Sequence, residues 1–337
     1  MHLEGTVLRG RDFEPVEGRV VVEDGTITAI EETETDSTDI ILPAFVNAHT
    51  HLGDSIAKEA GEGLSLDDLV APPDGLKHRL LRAASTDEKV AAMRRSLRMM
   101  ERGGTAACIE FREGGVDGVD VIRQALDGRD IEAVVLGRET EAAMEVSDGF
   151  GASGARDAEF GELRTATANA GKLFGIHAGE RDSLDITPAL DLDPDFLVHM
   201  VYPKPPHLER VEDSEIPIVV CPRSNLVTGV GVPPVRELVE RTTVALGTDN
   251  VMLNSPSMFR EMEFTSKLAD VPAAEVLRMA TINGADIAGL NYGLVEEGRE
   301  AKLLVLDGDT DNLAGAQDVV RAVVRRAGMA DVKDVYC

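Results

Sequence analysis

The stretch IILPAFVNAHTHLGDS, Ile40 to Ser55, carries the reading of the whole chain. Its first nine residues, Ile40 to Ala48, are apolar apart from Asn47 and read as a buried strand. His49 and His51 stand at the end of that run. Residues i and i+2 of a strand point to the same side, so the two imidazoles face one way. The chain has only seven histidines in 337 residues, which makes the pair informative. Two readings are open at this point: paired ring ligands for a metal, or two histidines hydrogen-bonded at a strand end.

Downstream of this run, seven more strand-like runs follow in order. They are TAACIEF (105–111), IEAVVLG (131–137), DGFGAS (148–153), KLFGIH (172–177), DFLVHMV (195–201), IPIVVCP (216–222) and TTVALGT (242–248). Amphipathic segments lie between most of them, with helices expected over Asp87–Arg102, Ala155–Ala170, Pro234–Arg241 and Pro256–Leu268. Eight strand–helix repeats in one domain predict an α/β fold, a (β/α)8 TIM barrel, over residues 41–290. A doubly wound sheet is the alternative, but no glycine fingerprint opens a helix after the first run.

Upstream, residues 1–40 alternate in short strand patterns with Asp24-Gly25 as a hairpin turn. After a helix over Pro272–Leu290, residues 291–337 return to strand patterns, including GLVEEGREAKLLVLDGDT and VVRRAGMADVKDVYC. The two ends are expected to pair as one small β domain beside the barrel.

Composition limits the function. Acidic residues outnumber basic ones 61 to 34, a formal charge of −27, and only 8 of the basic residues are Lys. A nucleic-acid backbone is excluded as a partner by that repulsion. Acidity dispersed along the chain is read as adaptation to a high-salt cytoplasm, where screening removes self-repulsion. No run reaches membrane-spanning length, and no membrane partner is expected. The three cysteines, Cys108, Cys221 and Cys337, show no paired spacing and fit a reducing cytoplasm. Homo-oligomerisation stays open.

Barrel enzymes build their sites at the C-terminal ends of the strands. Those ends hold His49 and His51 (run one), His177 (run five), His199 (run six) and Asp249 directly after run eight. Histidines and a carboxylate converging on one axis favour the metal reading of the opening pair. His207 is read as a surface residue, and the loop APPDGLKHR (71–79), with Lys77 and His78, as a cover over the barrel mouth. Arg112 and Glu113 follow run two, Arg138 run three and Arg223 run seven. Together with Glu113 these arginines are candidates for contacting the substrate, the arginines holding a carboxylate or phosphate or else pairing with neighbouring acids such as Glu113.

The motifs PAFVNAHTHLGDS, GIHAGE, LVHMVY, CPRSN and VALGTDN, with ATINGADIAGL near the end, resemble the amidohydrolase superfamily over nearly the whole chain. The resemblance is to the branch of cytosine deaminase, the S-adenosylhomocysteine/methylthioadenosine deaminases and the triazine chlorohydrolases. It implies a metal-bearing barrel with a small β-sandwich made from both termini. It further implies metal ligation by His49, His51, His177 and Asp249, with His199 near the metal-bound water and Glu180 as proton shuttle. One divalent ion is implied, with Zn2+ the default and Fe2+ compatible. The fourth run offers no lysine or glutamate to bridge a second metal, and Lys172 sits at the wrong end of run five.

The activity implied is hydrolysis of a non-peptide C–N bond in a small molecule, foremost deamination of an amino-substituted heterocycle of nucleobase, nucleoside or pterin type, with release of ammonia. Hydrolysis of a cyclic amide, amidine or carbon–halogen bond on the same scaffold is the alternative within enzymes. A catalytically silent barrel used for binding is the alternative outside them. Two features depart from the branch: the chain is short for it, and with no Trp and 3 Tyr it shows no evident purine-stacking pocket.

Overall fold

The computed structural model describes residues 1–336. The opening run is not one strand but two, serving different sheets. β1 (His2–Arg9), β2 (Glu14–Glu23), β3 (Thr26–Glu32) and β4 (Ile40–Pro43) belong to a terminal sheet, and β5 (Phe45–His51) begins the barrel. The change comes at Ala44, where β4 hands over from β1 and the chain's C-terminal region to the barrel strands. Asp24 and Gly25 both take positive φ (48° and 76°), as a two-residue hairpin loop requires.

The barrel strands continue as β6 (Thr105–Arg112), β7 (Glu132–Gly137), β8 (Gly149–Ala152), β9 (Leu173–Ala178), β10 (Phe196–His199), β11 (Ile218–Val220), β12 (Val244–Leu246) and β13 (Asp249–Asn250). Their order is β12-β11-β10-β9-β8-β7-β6-β5-β13, and every pairing is parallel. This is a TIM-barrel-like α/β fold. β12 and β13 are two pieces of one strand, separated by Gly247 and Thr248, and β13 pairs with β5 at Asp249–Thr50 and Asn250–His51. The sheet thus curls until its last strand lies beside its first. Side chains stitch this seam: Asn47 Nδ2 donates to Thr248 Oγ1 at 2.7 Å, and Thr248 N donates to Asn47 Oδ1 at 3.0 Å. Gly247 has to be a glycine, because a Cβ there would sit 2.7 Å from the Cβ of His49.

All eight residues of β6 are buried, as expected for a parallel strand covered on both faces. Phe111 and Phe196 fill the barrel interior beneath the site, 6.0 Å apart between ring centroids. Gly151 and Gly175 make room for them, since a Cβ at either position would come within 2.8 Å of the Phe111 ring. Outside, the helix Thr86–Arg102 starts on a reciprocal cap, with Ser85 and Glu88 each bonding the other's backbone.

The chain ends meet in a six-stranded sheet, β15-β14-β4-β1-β2-β3, with β14 (Leu303–Leu306) and β15 (Val332–Tyr336) from the C-terminal region. Successive residues alternate between two cores. Leu8, Leu42 and Leu304 pack with the barrel, whereas Val7, Ile41 and Leu303 pack with Val20 and Ile27.

Three local expectations are corrected. The helix expected over Pro272–Leu290 is two, Ala273–Ala280 and Ile282–Ala288, broken at Thr281 with φ −132° and ψ −97°. The first half of VVRRAGMADVKDVYC is not strand. Val319–Arg325 forms a helix capped by Asp318, because its apolar residues recur at helical spacing and cover the end of the barrel. Residues 71–79 are not an open loop: helices Leu66–Val70 and Leu76–Ala83 flank a short turn through Pro72 and Pro73.

Candidate metal centre

Four barrel strands bring the histidines and Asp249 into one neighbourhood at the barrel mouth. His49 Nε2 lies 3.3 Å from Asp249 Oδ1, and His51 Nε2 lies 3.6 Å from the same oxygen. The ring of His49 is 5.0 Å from that of His177, which is 5.3 Å from His199. One ligand atom from each of His49, His51 and Asp249 lies within 4.8 Å of the others, and the same holds for His49, His177 and His199.

Whether these residues fit a metal can be tested on their ring nitrogens. His49 is completely buried, and neither of its nitrogens has a hydrogen-bond partner. An orphaned imidazole of this kind is costly unless something binds it. His177 points Nδ1 at the Ala152 carbonyl, 2.8 Å away, and His51 points Nδ1 at Glu113 Oε1, 2.9 Å away. In His177, Nδ1–H donates to that carbonyl. His51 Nδ1 meets the carboxylate as a close charge contact without an aligned hydrogen bond. In both rings Nε2 is left turned inward, the nitrogen a metal takes. Burial lowers the pKa of His49 and His177 and brings His51 down to about 3, so the rings stand neutral. The donor set fits a divalent cation.

Backbone strain accompanies the site. His199, Met200 and Asp249 have positive φ (82°, 50° and 55°), uncommon for residues with a Cβ and frequent at functional positions. Asp249 is also held from its far side by the Ser224 hydroxyl, which donates to Oδ2.

Glu180 follows β9 by two residues. Its Oε2 lies 3.7 Å from His199 Nε2, and Asn225 Nδ2 spans the two, 3.5 Å from Glu180 Oε1 and 3.2 Å from His199 Nδ1. With Asn225 donating to Nδ1, the His199 proton sits on Nε2, facing Glu180. Burial raises the Glu180 pKa, the direction that favours a carboxyl able to donate a proton. A cavity of about 80 Å³ opens on His51, His177, His199, Glu180, Ser224 and Asp249.

Ser224 and Asn225 escaped the sequence reading, which took Arg223 from the same CPRSN motif. Residues Pro222–Val227 form a helix, and each step around it turns the side chain by about 100°. Arg223 therefore points away, donating to the carbonyls of Ser255 and Ser257 and lying 3.5 Å from Glu261. A Pro-opened turn directly after a strand was the signal that could have placed Ser224 and Asn225 instead.

The other arginines divide. Arg112 is buried between Glu110, at 3.1 Å, and Glu113, at 3.4 Å, outside the lining of the metal cavity. Arg138 lines the cavity while bonding Glu113 at 2.9 Å. Glu113 itself stands behind His51 rather than in the lining. Leu66, Val70, Ala71, Pro72 and Lys77 of the inserted helices form part of the cavity wall. His207, read as a surface residue, is buried; its Nδ1 accepts from Lys204 N at the start of its helix, far from metal duty.

The Arg223–Glu261 contact yields a prediction on stability. Burial pushes the Glu261 carboxyl from its ordinary value near 4.5 up to about 7. Between those values the native state binds more protons at this group than the unfolded chain does, so stability falls as pH rises through the window. Glu261→Gln is expected to flatten the decline of Tm between about pH 4.5 and 7. An unchanged Tm profile across that range would show that Glu261 titrates normally.

The comparisons with known proteins bear on this geometry. The profile of the amidohydrolase family matches residues 40–337. This chain belongs to the amidohydrolase family. A putative aminohydrolase of Methanothermobacter thermautotrophicus is 37% identical to this amidohydrolase, covering 90% of each chain. A 5-methylthioadenosine/S-adenosylhomocysteine deaminase of Haloarcula marismortui is 26% identical over 95% of this chain and 85% of its own. Among solved structures, an atrazine chlorohydrolase of Arthrobacter aurescens complexed with zinc shares the fold. It has a TM-score of 0.80 and 18% identity, and the match covers 99% of this chain and 93% of that one. By family, the protein is a hydrolase acting on carbon–nitrogen bonds.

Proposed function

We propose that this amidohydrolase is a mononuclear metal-dependent deaminase of an amino-substituted heterocycle, releasing ammonia. The observation that carries the reading is the placement of Glu180 beside His199 on the wall of the cavity into which the histidines and Asp249 converge. His49, His51, His177 and Asp249 would hold one divalent ion, with zinc the default for three imidazoles and a carboxylate. When bound, such an ion acts as a Lewis acid and lowers the pKa of water.

The chain's own groups handle the protons. Asp249, aligned by the Ser224 hydroxyl, takes a proton from the attacking water. Glu180 hands a proton to the ring nitrogen of the substrate, and His199, protonated on Nε2, orients the developing oxygen. Of the three arginines only Arg138 lines the cavity, and although one of its nitrogens is engaged by Glu113 it is our candidate to meet an anionic substituent. The acidic composition and the buried free thiols of Cys108 and Cys221 support a reducing, salt-rich cytoplasm as the setting.

Support for a single ion comes from the fourth strand. β8 ends at Ala152, followed by Ser153 and Gly154, and Lys172 is engaged with the carbonyls of Met144, Glu145 and Ser147. Purified protein is expected to carry about one equivalent of divalent metal per chain after dialysis. Two retained equivalents would refute the mononuclear reading. The activity itself is tested by screening amino-purines, amino-pyrimidines and pterins for ammonia release. Turnover of a cyclic amide or a halogenated ring without ammonia would replace deamination by another hydrolysis.

A further inference from the structure

We propose that Glu113 is the positioning residue of the metal centre: its carboxylate fixes the ring of His51 for the ion, and Lys77 and Arg138 hold that carboxylate in place. The proposal rests on His51 being a metal ligand, as read above, and goes beyond it to the residue that makes His51 one.

Glu113 Oε1 is the hub. It lies 2.9 Å from His51 Nδ1, 2.9 Å from Lys77 Nζ and 2.9 Å from an Arg138 guanidinium nitrogen. Oε2 faces Arg112 at 3.4 Å. All five side chains are buried. A carboxylate oxygen this close to Nδ1, though not aligned as a hydrogen bond, favours a proton on Nδ1 and so leaves Nε2 as the basic nitrogen of the ring. That nitrogen is the one turned toward Asp249.

Local structure accounts for the placement. Glu113 is the first residue past β6, and Gly114 and Gly115, with φ of 95° and 58°, turn the chain sharply away into the next helix. The side chain is left at the strand end, behind the ring it serves. A lone carboxylate there would be costly, and three cations offset that cost.

Lys77 gives the arrangement reach. It sits on the helix Leu76–Ala83, inside the segment inserted between β5 and the helix Thr86–Arg102, and also contacts Asp54 at 3.1 Å. The same segment walls the metal cavity through Leu66, Val70, Ala71 and Pro72. One carboxylate thereby joins the cover of the site to a ligand of its ion. The competing account is that Glu113 only neutralises Lys77 and Arg138, with His51 an incidental neighbour.

Two substitutions separate the accounts. Glu113→Asp keeps the charge that Lys77 and Arg138 need but draws the oxygens back from His51 by one methylene. Glu113→Gln keeps the length and removes the charge. Zinc affinity is measured by competition with a chromophoric chelator, and ligand geometry by the visible spectrum of the Co2+-loaded protein. Both variants are expected to bind zinc about 10–100-fold more weakly than the parent, with a changed Co2+ spectrum. Should Glu113→Gln fail to fold, Glu113→Asp decides alone. An Asp variant with the parent's zinc affinity and spectrum would overturn the positioning role. A parent chain that takes up no divalent metal would overturn the metal centre on which the proposal stands.

Discussion

Replacing Glu180 with glutamine is expected to slow turnover by about 10²–10⁴-fold, the usual effect of losing a positioned acid–base group, while metal content stays at the parent's level. The carboxylate stands outside the His49, His51, His177 and Asp249 set, with His199 and Asn225 as its polar neighbours and an Asp249 oxygen within 4.8 Å. Glutamine preserves the shape and the contact with Asn225 but cannot carry the proton. His177→Ala serves as the contrast, because it removes a ring that faces the centre and should lose metal and activity together. Kinetics and metal analysis on the same preparations separate the two outcomes. A Glu180→Gln enzyme that turns over at the parent's rate would remove Glu180 from the mechanism.

The second large effect is expected from a residue with no polar atom in its side chain. Phe111 sits beneath the centre, its ring edge-to-face with His49 at 4.6 Å and with His177 at 5.1 Å between centroids. Gly151 and Gly175 lie against it so closely that the backbone has little room to collapse inward. Phe111→Ala should therefore leave a cavity and cost about 3–5 kcal/mol of stability, at the upper end for core truncations. It should also loosen the histidines that rest on the ring. Chemical denaturation of the metal-free protein reads the first effect. A loss below about 1 kcal/mol, within the range of tolerated core swaps, would show that the site refills itself.

The strand ends were legible in the sequence because a parallel strand buried on both faces leaves an unbroken apolar run. The first polar residues after such a run fall at the barrel mouth. His49, His51, His177, His199 and Asp249 were read in that way, and the structure sets them in overlapping groups of three that share His49 or Asp249. What the sequence hid were positions set by other periods. Arg223 follows a run just as His177 ends one, but the chain has already turned into a helix, so its guanidinium leaves the site and Ser224 enters. Lys77 was read as lying over the barrel mouth, but its partners, Asp54 and Glu113, come from other elements and no local pattern marks them. The split of Ile40–Ala48 between two sheets was equally silent, since both halves are buried and apolar.

The seam between β5 and β13 governs the order in which the protein can come into being. The HTH pair leaves the ribosome early, yet its partner Asp249 is made about 200 residues later. Bringing the ends of such a span together costs roughly 5 kcal/mol of chain entropy on the (3/2)RT ln n scale. The Asn47–Thr248 clasp and the pairing of β13 on β5 have to meet that cost before the ligand set exists. A nascent chain therefore carries the two histidines well before Asp249, so the proposed ligand set would be complete only late in synthesis. On the ligand set proposed above, His49 and His51 of the first strand and Asp249 of the last would hold the same ion, so chelation is expected to loosen this edge of the molecule before any other.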